Sequence, residues 1–299
     1  MRKTLFVAGV TVVLLLATIG AASAITYGEP DDGEHPYVGM MLFYVPADDS
    51  WYSCTGSLLN PTTVLTAGHC TAGVGTDLED LGPRGGYDMW ISFDEQVDLT
   101  GWPTRAEVPD PAVRNPARLA WLNDSTTFIR GTAWPHPGYL NGGFPDTYDV
   151  GVIKLDRPAE VSSTAVLAEV GALDHLSTKR GQNKDVLFET AGYGIQEVKP
   201  EYMAEDWRFK ATSAFVNLRS HLTDGFNLHT SNNPSAVQGR GGSCFGDSGG
   251  PVMFDNTNMI VAVVSFGMNY NCKGADYSYR VDTEDSQAFI DNPEHYGMP

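Results

Sequence analysis

Three short segments of the chain contain residue types that together can perform acyl transfer. Each holds one reactive side chain: His69 in residues 65–70 (LTAGHC), Asp149 in residues 148–155 (YDVGVIKL) and Ser248 in residues 246–251 (GDSGGP). A serine hydroxyl is a weak nucleophile at neutral pH and needs an adjacent base to accept its proton. Histidine suits this task because its reference pKa lies near neutrality. The segments therefore predict nucleophilic catalysis by Ser248, with His69 as the general base.

Asp149 is the residue expected to hold the histidine in one tautomer. A carboxylate bonded to one imidazole nitrogen fixes the ring and leaves the other nitrogen free to act as the base. Asp149 begins an apolar run, where an unpaired carboxylate would be costly to bury. The alternative is that Asp149 is a turn residue that opens a strand.

The three segments, in the order His, Asp and Ser, resemble the chymotrypsin/trypsin family of serine proteases, peptidase family S1. The resemblance covers nearly all of the chain after residue 24, apart from residues 71–123. It implies an all-β, trypsin-like fold of two packed six-stranded antiparallel β-barrels with a C-terminal helix. The first barrel is expected at about 25–160 and the second at about 161–299, with an irregular insertion at about 71–123.

The resemblance also assigns roles to residues around the nucleophile. His69 and Asp149 would come from the first barrel and Ser248 from the second, so that the cleft between the barrels binds an extended peptide. The backbone N–H groups of Gly246 and Ser248 are expected to form the oxyanion hole, which stabilises the tetrahedral intermediate. Residues 265–267 resemble the strand that pairs with the substrate backbone.

The four cysteines suggest two disulfides, because an even count is typical of exported chains. Spacing alone leaves the pairing open. A zinc site is the alternative, but the sequence contains no Cys-x-x-Cys pair. The resemblance implies that Cys54 pairs with Cys70, beside His69, and that Cys244 pairs with Cys272, beside the specificity pocket.

Substrate specificity is predicted from residues that the resemblance places around a pocket. Gly242 occupies the floor position that holds Asp in trypsins, and an open pocket with Gly242 and Gly267 suits a large apolar side chain. Ser265 belongs to the strand that binds substrate. Asp276 is expected on the opposite wall, where a carboxylate favours a cationic partner. A shift of one residue in register would turn Asp276 to solvent. We expect a pocket that accepts both basic and large apolar residues.

The first 24 residues are typical of an export signal. Arg2 and Lys3 precede an apolar stretch at 5–19 and a small-residue cleavage pattern at 22–24. An uncleaved membrane anchor is the alternative, but the apolar stretch is short for a span. We therefore expect a secreted, extracellular protein without a stable membrane anchor after cleavage.

Cleavage after residue 24 would expose the amine of Ile25. By resemblance, such an amine folds inward and pairs with the Asp before the nucleophile, here Asp247, which orders the oxyanion hole. The match to the usual family start is partial, since only Ile25 and Gly28 agree. The alternative is that Ile25 begins a loose tail.

The elements that must position these residues are short strands rich in apolar and β-branched residues, separated by Gly, Pro, Asn and Asp. The predicted strands are 37–45, 55–59, 64–67, 89–93, 128–133, 150–155, 186–193, 209–218, 251–254, 260–266 and 277–281. Thr283 is expected to cap one helix near the end of the chain, with Ala288, Phe289 and Ile290 on its apolar face.

Composition limits the possible partners. The net charge of −18 over 299 residues repels phosphate backbones, so nucleic acid is not expected to bind. No cofactor or metal is required by the chemistry. Some relatives bind calcium, and Asp77, Glu79 and Asp80 have suitable oxygen atoms, although a solvated acidic loop is the preferred interpretation.

The sequence therefore predicts a secreted serine endopeptidase that acts on protein or peptide substrates. A binding protein that shares the fold but lacks catalysis is the alternative, because fold alone does not determine activity. Esterase activity on small acyl groups would follow from the same chemistry.

Overall fold

The computed structural model describes residues 25–76, 87–176, 183, 185–198, 202–233, 240–254 and 256–296. The predicted export signal and Asp77, Glu79 and Asp80 lie outside these residues. None of the helices within the described ranges is long and apolar enough to cross a membrane.

The first barrel is built from six strands. They are β2 (Val38–Val45), β3 (Ser50–Asn60), β4 (Thr63–Thr66), β5 (Tyr87–Ser92), β6 (Ile129–Pro135) and β7 (Gly151–Leu155); β1 (Glu29–Pro30) precedes them. The pairing order β2-β3-β4-β7-β6-β5 closes through antiparallel pairing of β5 with β2. Closure leaves no free sheet edge, which suits strands whose inward residues are apolar.

The second barrel is formed by later strands of the chain. They are β9 (Leu187–Gly192), β10 (Phe209–Asn217), β11 (Asn227–Ser231), β12 (Pro251–Phe254), β13 (Met259–Gly267) and β14 (Asp276–Arg280); β8 (Val166–Leu167) precedes them. All pair antiparallel in the order β10-β11-β14-β13-β12-β9, and β9 pairs back onto β10. Strand β1 extends β10, and β8 runs parallel to β13. The predicted fold of two six-stranded antiparallel barrels is confirmed.

Two α-helices occur in the described residues. Helix α2 (Glu284–Asp291) is the predicted C-terminal helix, and its N-cap Thr283 accepts a hydrogen bond from the N–H of Ser286. Helix α1 (Pro111–Asp124) was not predicted and lies in the stretch that was expected to be irregular. The Asp110 side chain accepts from the N–H of Ala112, and Pro111 occupies the first turn, both of which favour helix initiation.

Both barrels contribute to one buried apolar cluster. Leu58 and Val64 of the first barrel belong to it together with Met253 and Val263 of the second. The Tyr37 hydroxyl also donates to Met253 Sδ at 3.1 Å across this junction. The two barrels therefore pack on a shared core.

Candidate active site

His69 lies on a single 3₁₀ turn, Gly68–Cys70, directly after β4. Because β4 pairs with β7, the residues just before β7 are brought beside this turn, and Asp149 lies two positions before that strand. The N–H of His69 donates to Asp149 Oδ1 at 2.8 Å, and His69 Nδ1 lies 2.9 Å from Asp149 Oδ2. The disulfide Cys54–Cys70 ties the turn to β3. The histidine is thus fixed by its backbone, its ring and its neighbouring residue.

Asp149 is buried, and its charge is compensated from two sides. Burial alone would raise the pKa of its carboxyl, but the charge and hydrogen bonds of His69, with the Ser265 hydroxyl that donates to Oδ2, hold that pKa below its ordinary value. For His69, burial lowers the pKa, and the charge and hydrogen bond of Asp149 outweigh it, so the pKa is raised. The pair favours an imidazole whose Nδ1 is bonded and whose Nε2 is free.

Ser265 therefore plays a part that the sequence analysis did not assign. It was predicted to belong to the strand that binds substrate, and it does lie in β13. Its hydroxyl, however, donates a hydrogen bond to Asp149 across the barrel junction. No signal in the sequence points to this contact, because it joins residues that are 116 positions apart.

Ser248 lies in the turn before β12 and is half-buried. Gly249 has φ +78°, and a Cβ there would lie 2.0 Å from Thr66 Oγ1, so this close approach requires glycine. The N–H of Thr55 donates to the carbonyl of Ser248 at 2.8 Å, which docks the turn against β3. Ser248 and His69 line the same cleft of about 700 Å³. Among the described residues, no hydrogen bond joins the Ser248 hydroxyl to His69, an arrangement that is common in unliganded enzymes.

The predicted oxyanion hole lies in the same turn. Gly246 has φ +100° and, like Ser248, lines the cleft. The buried side chain of Asp247 accepts hydrogen bonds from the N–H groups of Gly194 and Cys244, each at 2.8 Å. Burial raises the pKa of Asp247 to about 7, despite these two bonds, and the charge of Asp276 adds to the effect. Within the described ranges, the hydrogen bonds to this carboxylate come from neutral backbone donors, and no salt bridge to it is present.

The structure does not join Ile25 to Asp247, the predicted activation pair. The side chain of Ile25 is fully buried in a cluster with Phe209 and Ala211. The following residue, Thr26, accepts a hydrogen bond from the N–H of Gly242 at 3.2 Å. This segment therefore docks near the nucleophile turn, while no hydrogen bond or ion pair between Ile25 and Asp247 is present in the described part of the chain.

A second cavity, of about 370 Å³, opens beside Ser248 and contains Asp276 and Gly267 in its lining. The buried carboxylate of Asp276 accepts from the N–H of Ser243 at 2.9 Å and from its hydroxyl at 2.5 Å. Burial raises the pKa of Asp276 to about 6, although these bonds oppose the shift. The disulfide Cys244–Cys272 also borders this cavity.

The expected open floor at Gly242 requires correction. Gly242 does not line the cavity, and a Cβ on it would lie 2.0 Å from the Cβ of Asn232. Asn232 lines the cavity instead and donates to the carbonyl of Cys272 at 3.1 Å. Glycine at 242 therefore makes room for a neighbouring side chain. Asn232 could not be predicted because its contact depends on the path of a distant loop.

One grouping of the described residues has the composition of a metal site, namely Cys54, His69 and Cys70. The two sulfur atoms form a disulfide, so neither is available as a thiolate ligand. The imidazole of His69 is already bonded to Asp149. This group therefore does not fit a metal centre.

A family model, curated relatives and a solved structure all relate this chain to serine proteases or their fold. The sequence model of the family described as Trypsin matches residues 27–90 and 122–289. The chain is 26% identical over 257 residues to melanization protease 1 of Drosophila melanogaster. The aligned region covers 78% of this chain and 56% of the relative. It is 24% identical over 251 residues to phenoloxidase-activating factor 1 of Holotrichia diomphalia, covering 81% of this chain and 62% of the relative. The chain spans about half the length of the first curated relatives that it matches.

Among solved structures, HL collagenase superposes with a TM-score of 0.60 over 89% of this chain and 98% of its own. At 15% sequence identity this likeness concerns the fold. The family model leaves residues 91–121 unmatched, a segment that contains most of α1.

Proposed function

This chain belongs to the trypsin family of serine proteases, and from that premise we propose that it is an endopeptidase with Ser248 as nucleophile, His69 as general base and Asp149 as the residue that orients the base. The observation that carries the proposal is the way in which the His69 ring is held and exposed. Its Nδ1 is bonded to a buried carboxylate, while 29% of its side chain is exposed, on a cleft shared with Ser248. A ring held in this way presents Nε2 to a reacting hydroxyl.

The proposed reaction has two stages. Ser248 Oγ attacks the substrate carbonyl carbon while His69 Nε2 takes its proton, and the N–H groups of Gly246 and Ser248 stabilise the oxyanion that forms. His69 then returns the proton to the departing amine, which leaves an ester on Ser248. Water attacks this ester with His69 again as the base, so that a carboxylic acid is released and the serine is restored.

Turnover by matched variants tests this proposal. Ser248→Ala and His69→Ala should each lower kcat on a peptide substrate by roughly 10⁴-fold or more, because the three residues act as a unit. Ser163→Ala, which removes an exposed hydroxyl outside both cavities, should retain wild-type turnover. Near wild-type turnover in either of the first two variants would reject the assignment.

We assign the cavity that contains Asp276 to the substrate side chain that precedes the scissile bond. It adjoins Ser248, and its lining combines one buried carboxylate with apolar side chains such as Val264 and Phe266. A buried carboxylate whose hydrogen bonds come from the neutral donors of Ser243 and Tyr277 favours a cationic partner, whereas the remaining wall suits large apolar groups. We therefore expect cleavage after both basic and large apolar residues.

The Ile25 amine is proposed to activate the enzyme by pairing with Asp247. Ile25 has φ +58°, a conformation that is strained for a β-branched residue as long as residue 24 is attached. Cleavage before Ile25 removes that constraint and supplies a cation. Asp247 lacks a cation among the described residues, and a buried carboxylate is tolerated best when it is paired. Export of the chain, with protein or peptide substrates outside the cell, fits its two disulfides.

A further inference from the structure

The cleft shared by His69 and Ser248 is extended by residues that the family model does not match. Leu99, Trp102 and Arg118 lie within the unmatched segment 91–121, and all three line the cleft. Further apolar lining comes from the first barrel, including Leu42 and Trp51, and from Ile195 and Phe245 of the second barrel. The 91–121 segment thus contributes a wall to the candidate active site.

The position of this wall relative to Ser248 defines which part of a substrate it meets. The cavity that contains Asp276, and the end of β13 at Gly267, lie on one side of Ser248. The large cleft contains Ser248, Gly246 and His69 but not Asp276 or Gly267. If the acyl side of a peptide occupies the first cavity, its leaving-group side must enter the large cleft, where His69 returns the proton to the amine.

The Trp102 ring of this wall is packed on several sides. The guanidinium of Arg118 lies 4.8 Å from the centre of the Trp102 ring, and its Nε donates to the carbonyl of Pro103 at 2.8 Å. The Trp51 and Trp121 rings pack edge-on against Trp102, with centroids at 5.8 Å and 5.4 Å. A ring fixed on several sides loses little conformational freedom when a ligand packs on it.

Resting on the proposed function, we propose that the 91–121 segment forms an additional subsite for the leaving-group side of the substrate, in which Trp102 selects a large apolar side chain among the first residues after the scissile bond. Leu42 is buried, and Leu99 and Trp51 are partly buried beside it, which gives the side chain an apolar surface to cover. The acidic residues of the cleft, Asp48, Glu205 and Asp206, are all exposed.

The test uses blocked peptides that are identical up to the scissile bond and carry Phe or Gln at one position after it. Wild-type kcat/KM should favour Phe by about tenfold or more, the value expected for burying an aromatic side chain. In Trp102→Ala this ratio should fall to about one, whereas Trp102→Phe should retain much of it. Arg105→Gln changes an exposed residue of the same segment, outside the cleft, and should leave the ratio unchanged.

A blocked para-nitroanilide distinguishes failure of the subsite from failure of the proposed peptidase activity, because it has no residues after the scissile bond. Its cleavage by Trp102→Ala at the wild-type rate, together with the lost Phe preference, would support the subsite. Equal loss on the nitroanilide and on both peptides would mean that Trp102 is structural, and would overturn the inference. A wild-type enzyme that cleaves the nitroanilide without preferring Phe would overturn the inference alone, while failure to cleave any substrate would reject the proposed function itself.

Discussion

At the scale of single residues, two buried carboxylates show how local partners shift the pKa in opposite directions. Asp149 is bonded to His69 and Ser265, and its pKa is lowered although burial opposes this. Among the residues that the structure describes, Asp247 accepts from two backbone N–H groups, and burial raises its pKa to about 7. The first carboxylate is suited to stabilise an imidazolium, whereas the second is the one that we propose to pair with the Ile25 amine.

The raised pKa of His69 predicts the acid side of the pH–rate profile. The base must be neutral, so activity should be present above the His69 pKa and lost as pH falls through it. Because Asp149 stabilises the charged ring, the midpoint in kcat/KM should lie above the ordinary value of 6.5. Asp149→Asn should lower this midpoint and reduce kcat by roughly 10⁴-fold. A midpoint that is the same in both enzymes would contradict the role of Asp149.

Asp276 predicts a specific change in substrate preference. Asp276→Asn keeps the shape of the side chain but removes its charge, so kcat/KM for substrates with Arg or Lys before the scissile bond should fall by at least about tenfold. Substrates with Phe or Leu at that position should be affected little. The measurement is kcat/KM of both enzymes on substrates that differ only in the residue before the scissile bond. An unchanged order of preference would show that Asp276 does not contact the substrate.

At the scale of elements, loops and strand ends from both barrels meet at the nucleophile turn. Strand β13 supplies Ser265 to Asp149 of the first barrel, while β3 bonds the carbonyl of Ser248 through Thr55. The N-terminal segment reaches the same region through the contact of Thr26 with Gly242. Small shifts in any of these elements should therefore alter the oxyanion hole.

We expect activity to be most sensitive to the proposed start of the chain at Ile25. A chain that begins at Ile25 should be active, whereas one extra Ala before Ile25 should lower kcat by about a hundredfold, the cost of losing an oxyanion donor. Labelled N-terminal sequencing would verify each start, and active-site titration would count competent enzyme. Equal activity of the two forms would exclude the pairing of Ile25 with Asp247.

The sequence predicted the elements with strong patterns and missed those without them. The strands and the helix after Thr283 follow from apolar patterns and a capping residue, whereas the arrangement in two six-stranded barrels follows from the family resemblance. Helix α1 contains Pro116 and buries Arg114 and Asn115 beside Leu122, so its apolar face is weak. Strand β11, NLHTS, is short and polar. Contacts such as that of Asn232 with Gly242 depend on tertiary packing and leave no local signal.

At the scale of the whole molecule, a buried polar network ties the N-terminal segment to both barrels. His35 lies 2.5 Å from Asp31 and 3.1 Å from Glu189 through its two ring nitrogens. Arg208 donates to Asp31 and to the carbonyl of Val38. Burial would lower the pKa of His35, but its bonds to both carboxylates raise it to about 9. The histidine is therefore charged in the folded protein at neutral pH.

This network predicts how stability depends on pH. The folded pKa of His35 lies above the unfolded value, so its contribution is complete below about 6.5 and is lost as pH rises towards 9. The free energy of unfolding should decline over this interval by an amount on the order of 3 kcal/mol. Denaturant titrations at several pH values check this, with His35→Gln as the control. A decline of equal size in the variant would assign the effect to other groups.

The central claim, that Ser248 is a nucleophile activated by His69, is tested most directly by a fluorophosphonate, which reacts with activated serine hydroxyls. The folded protein that begins at Ile25 is incubated with the reagent and digested, and the modified residue is identified by mass spectrometry. The account predicts one adduct per molecule on Ser248, lost in Ser248→Ala and strongly slowed in His69→Ala. A folded protein whose Ser248 remains unmodified would contradict it.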